Sequence, residues 1–185
     1  MTPETAPQTY SRTQRVLHWA MAALIAALAP IGWLMSDADP DGAARLWLSR
    51  AHAGLGMTLG LLLVARIVTR VRAPKLAELP GSTSAQRTLM RVIHGGIYAA
   101  LVVTLVSGNA TSILGDWPAY LLGSTPTAPD LHPIVHREGH ERFVFAILGL
   151  TLLHVAGVLL HEIRKGGALR RMWPGMGRAP SDGSP

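Results

Sequence analysis

The chain has 185 residues, 49% of them apolar and 15% charged, with a formal net charge of +6 and no cysteine. The missing thiols exclude disulfides, thiolate zinc sites, iron–sulfur clusters and thioether-linked cofactors, so any metal is held by nitrogen or oxygen. The apolar residues fall in blocks near the ~20 residues that a helix needs to cross a bilayer, with the basic residues between them, which points to a membrane rather than to nucleic acid.

The opening stretch MTPETAPQTYSRTQRVLHW lacks the basic start, short apolar run and small-residue cleavage site of a secretory signal. The first span, about 12–36, is therefore expected in the mature protein. Ser11 to Gln14 has the spacing of a capping box at its start, and Pro30 is a candidate kink. An acidic loop with Asp37, Asp39 and Asp41 leads to a second span at about 49–70, with Arg66 near its end. The segment RVRAPKLAELPGSTSAQR, broken by Pro74, Pro80 and Gly81, reads as a loop with a partial interfacial helix. The third span covers about 89–113. A loop with Trp117, Pro118, Gly123, Pro126 and Pro129 follows, and Pro133 is placed to open the fourth helix, about 134–163.

Residues 1–175 thus read as one all-α unit, an integral membrane four-helix bundle, and the Gly- and Pro-rich 176–185 as a disordered tail. Of the 17 basic residues, 13 fall at the termini and around the second loop, and only Arg45, Arg50, Arg137 and Arg142 fall on the other face. Short loops rich in Lys and Arg stay cytoplasmic. Both termini are therefore expected in the cytoplasm of a multi-pass protein of the bacterial inner membrane.

Eight histidines in so apolar a chain require an explanation, because ionisable groups within spans are costly and mark function. His18 and His94 start spans on the cytoplasmic side, and His52 starts one on the outer side. His140, His154 and His161 share the fourth helix. His140 and His154 lie 14 residues apart, which returns them to within about 40° of one face at a separation of roughly 21 Å, room for two stacked haems. His161 lies only about 10 Å beyond His154, too close for both to hold separate haems. Depth pairs His52 with His140 at the outer side and His18 with His154 at the inner side. His18 with His161 is the alternative, which would set the second haem about 31 Å from the first and partly among the headgroups. Two imidazoles on one iron leave no open position, so such a site transfers electrons.

His94 and His161 read either as interfacial hydrogen-bonding residues or as a quinone headgroup site near the inner haem. His132, His136 and His140 would line one face and bind zinc or copper if the helix began at Pro133, although His132 precedes that proline, where helix is disfavoured. Otherwise His132 and His136 are solvated loop residues, or handle protons or an incoming reductant. Arg15, Arg50, Arg137 and Arg142 are candidate partners for haem propionates, or interfacial anchors. Trp19, Trp33, Trp47, Trp117 and Trp173 fit an aromatic belt. Gly54, Gly56 and Gly60 allow close helix packing or make room for a flat macrocycle.

With Ser11-Arg12 ahead of Leu17-His18-Trp19, His52-x-Gly54 with Arg66, His94 with Tyr98, and His140-Glu141 followed by His154 and His161, the chain resembles the bacterial cytochrome b-561 family. That family is kin to the cytochrome b subunits of membrane hydrogenases and formate dehydrogenases. The resemblance covers nearly the whole chain and implies two b-type haems, with His18, His52, His140 and His154 at the ligand positions. It further implies electron exchange with the ubiquinone pool, some members being similar to oxidases of superoxide. The outer loop from Gly115 to Gly123 is similar to the family's, while His132 and His136 match no pattern in it. The expected function is electron transfer within the membrane between an outer-face donor, superoxide or a soluble redox partner, and quinone. The alternative is a haem-bearing anchor subunit of a hydrogenase or dehydrogenase.

Overall fold

The computed structural model describes residues 9–173. The expected tail, 176–185, lies outside them. Four long helices dominate: α1 (Arg12–Asp37), α2 (Ala43–Arg72), α3 (Ser84–Leu114) and α5 (Val135–Lys165), with short α4 (Trp117–Leu121) and α6 (Ala168–Met172) at the two ends. All four long helices have the length and apolar composition to cross a membrane, and there is no strand among the described residues.

The capping box forms as the spacing predicts. Gln14 N–H donates to Ser11 Oγ, and the Ser11 N–H donates to Gln14 Oε1, both at 3.2 Å. Gln14 is buried and its amide also donates to the Thr69 carbonyl at 3.4 Å, tying α1 to α2 at this end. A second capping box, Thr83 with Gln86, starts α3. It begins earlier than the sequence pattern placed it, so the helix expected within the preceding loop is the first turn of α3, and residues 73–83 are irregular. Likewise α2 starts at Ala43, well before Ser49. Polar first turns do not enter an apolar count, and this shifts both boundaries. α1 runs through Pro30. Pro133 does not open α5, because Ile134 is its N-cap and the proline stands just outside the helix.

α1 packs along α2 and α3 along α5, whereas the two hairpins touch each other lightly. Between them an apolar layer forms from Met21, Leu59, Leu63, Ala100, Leu101 and Ile147. Outward-facing residues such as Leu61, Val64, Leu152 and Ile163 remain exposed, as expected of side chains that meet lipid. The two described ends of the chain lie together, since Tyr10 N–H donates to the Arg171 carbonyl and Trp19 Nε1–H to that of Met172.

The opposite end is closed by α4. Asp116 takes a left-handed conformation at its N-cap, tolerated by a short polar side chain. Gly115 sits so close to Leu131 that a Cβ there would collide with Leu131 Cδ2. Trp117 and Tyr120 are thereby buried against Met35, Leu46 and Leu131. Arg45 reaches the last carbonyls of α1, Met35, Ser36 and Ala38, and stacks over Trp117. A cation on these orphan carbonyls complements the helix dipole. Arg45→Ala is expected to cost about 1–3 kcal/mol, read as a fall of several degrees in the melting temperature of the detergent-solubilised protein. Arg142→Ala, which breaks an exposed pair with Glu138, should cost under about 1 kcal/mol.

Candidate functional site

The structure places four of the histidines in two pairs. At the end closed by α4, the outer side in the charge-based expectation, His52 of α2 faces His140 of α5, with ring centroids 6.1 Å apart and planes at 70°. At the end that holds the two described ends of the chain, the inner side in that expectation, His18 of α1 faces His154 of α5 at 6.2 Å and 77°. The apolar layer described above lies between the pairs, with Ile147 midway between the two histidines of α5.

Each ring is held by what its backbone neighbours allow. His140 Nδ1 lies 2.9 Å from the Thr104 carbonyl oxygen. A carbonyl only accepts, so Nδ1 carries the proton and Nε2 keeps its lone pair. The ring rests on Gly108, where a Cβ would stand 2.8 Å from Nδ1 and 2.9 Å from Cε1. His52 is seated in the same way against Gly32 of α1, where a Cβ would come within 3.1 Å of Cε1. Neither glycine stands out in the sequence, where attention fell on Gly54, Gly56 and Gly60. The usable signal is a glycine inside an apolar helix at the depth of the outer histidines. Gly54 and Gly56 do have open space around them, while Gly60 meets Leu105.

The inner pair has different surroundings. Arg66 Nη2 donates to His18 Nδ1 at 3.3 Å, its Nη1 to the Gln14 carbonyl at 2.9 Å and its Nε to Tyr98 Oη at 3.0 Å. Because guanidinium only donates, His18 Nδ1 is an acceptor here. His94 of α3 stands 4.7 Å from His154 and donates from Nδ1 to the Met90 carbonyl at 2.7 Å. His161 is set apart from this cluster, two turns along α5, with a buried Nε2 that has no hydrogen-bond partner.

The remaining candidates are dispersed. His132 lies in the turn before α5, bonded to Asp130, so the zinc or copper face of His132, His136 and His140 does not assemble, and no group of three metal-ligating side chains forms among the described residues. The His132 backbone N–H and then its ring hold the Asp130 carboxyl below the usual range, which keeps that loop anionic. Arg15 donates to the Trp173 carbonyl, Arg50 to that of Leu121, Arg142 pairs with Glu138 and Arg137 with Glu141.

The sequence profile of the family described as prokaryotic cytochrome b561 matches residues 9–175. The chain belongs to the prokaryotic cytochrome b561 family. It is thus a multi-pass membrane protein of a group that transfers electrons through haem b. No curated protein and no solved structure matches it.

The residues present fit such a group. A metal–imidazole bond is about 2 Å long, so one ion between two rings sets their centroids about 6 Å apart, as both pairs stand. Nδ1 of His52 and of His154 is buried without a partner, a cost of about 1–3 kcal/mol each unless something else compensates. The helix contacts between the hairpins are light, and above and below the apolar layer the paired rings face each other across the seam.

Proposed function

We propose that the protein carries electrons through two b-type haems, the outer between His52 and His140 and the inner between His18 and His154. The observation that carries this reading is the pair of imidazole couples at single-ion spacing on either side of one apolar layer. Bound haem supplies a one-electron couple. The chain's own residues hold the rings, fix the His140 tautomer through Thr104 and keep water from the layer between the sites. With two imidazoles per iron no position is left for oxygen or substrate, so donor and acceptor exchange electrons at the haem edges.

The basic end, with both described ends of the chain, is taken as cytoplasmic, and the membrane as the inner membrane. Haem held by the outer pair would then exchange electrons with a periplasmic donor, superoxide or a soluble redox partner, and haem held by the inner pair with ubiquinone. His94 and His161 are the inner-face groups able to hydrogen-bond a quinone headgroup. A pyridine haemochrome assay on the purified protein is expected to give two haems b per chain, and His52→Ala one. Absence of b-type haem, or two haems retained in His52→Ala, overturns the assignment.

A further inference from the structure

At the inner end a recess of about 230 Å³ opens beside His94, lined by Arg66, Arg70, Arg91, Tyr10 and Tyr98. Three guanidiniums share it, and among the described residues no carboxylate lines it. Of the described acids, Glu78 pairs with Arg87, and Glu162 accepts from the N–H groups of Gly167 and Leu169. Like charges gathered at the edge of a low-dielectric layer repel strongly unless an anion joins them. Arg70 stacks on the Tyr10 ring, with its Cζ 5.6 Å from the centroid. Such a guanidinium keeps its in-plane donors for a planar oxyanion.

We propose that this recess seats the two propionate carboxylates of the inner haem, with Arg66, Arg70 and Arg91 as their partners. The proposal rests on the assignment of His18 and His154 as the inner pair. Two carboxylates against three guanidiniums nearly balance the charge. The sequence candidates Arg15, Arg50 and Arg142 do not line this recess. Arg66 also resolves a conflict at His18. A neutral imidazole that binds metal through Nε2 carries its proton on Nδ1, where Arg66 now donates. A carboxylate in the recess draws Arg66 off the ring and frees Nδ1.

The test reconstitutes the full-length apoprotein in detergent with haem b and with its dimethyl ester, which lacks the carboxylates. The inner site is identified as the one abolished by His154→Ala. Wild type should hold haem there about 10- to 100-fold more tightly than the ester. The double variant Arg70→Gln/Arg91→Gln, which leaves both histidine pairs untouched, should lose most of that preference. Equal binding of haem and ester by wild type overturns the proposal and leaves the two-haem reading standing. An anionic phospholipid that co-purifies with wild type but not with the variant, with haem preference unchanged, assigns the recess to a lipid phosphate and also overturns it. A wild-type chain that takes no haem overturns both readings.

Discussion

Gly108→Ala is expected to remove the outer haem and leave the inner one, halving the haem content measured by pyridine haemochrome. A methyl at residue 108 would stand 2.8 Å from His140 Nδ1 and 2.9 Å from Cε1, distances at which something must move. The ring cannot swing aside without giving up its bond to the Thr104 carbonyl, one turn earlier on the same helix face. Overpacking of this kind costs about 1–3 kcal/mol, and the lost hydrogen bond adds about 1 kcal/mol. Together they weaken retention of the group by roughly one and a half to three orders of magnitude. Gly96→Ala is the control. Its Cβ would meet the flexible end of Leu150 at 3.2 Å, so α3 and α5 are disturbed without touching a histidine, and both haems should stay. Full haem content in Gly108→Ala would show that His140 does not depend on this seat.

The four spans were legible because bilayer thickness imposes a length on every apolar block, and composition alone carries that signal. The histidine pairs were legible for a related reason. Fixed rise and rotation per residue convert sequence position into depth and face, so His140 and His154 had to point the same way into different levels. The supports of the rings were not legible. Gly32 and Gly108 act through a close approach between helices, and Thr104 through its backbone carbonyl, which no side-chain pattern reports. Arg66 was visible as a cation near the end of a span, but its contact with His18 depends on the packing of α1 against α2. The partners of the arginines were not legible either. Interfacial arginines are drawn to helix-end carbonyls and nearby carboxylates, and Arg15, Arg50 and Arg142 each found one.

The inner pair admits a sharper experiment than the outer, because the same helix carries a rival. His154→Ala should abolish the inner haem, whereas His161→Ala should retain both. The His154 ring stands 6.2 Å from His18 across the seam between the hairpins. His161 lies about 10 Å further along α5, level with the helix end, where Arg164 and Lys165 enter the last turn. For His161 to replace His154, α5 would have to slide by about two turns past α3, breaking the contact of His140 with Thr104 and the packing of Gly96 on Leu150. His94 sets the finer expectation. It stands 4.7 Å from His154 with Nδ1 committed to Met90, so its Nε2 keeps a lone pair close to the vacated position. His154→Ala/His94→Ala should show no more loss than His154→Ala alone. A partial low-spin signal in the single variant that disappears in the double would identify His94 as a stand-in ligand. Loss of the inner haem in His161→Ala, with retention in His154→Ala, would instead move the inner site one step toward the cytoplasm and detach it from the layer that separates the two pairs.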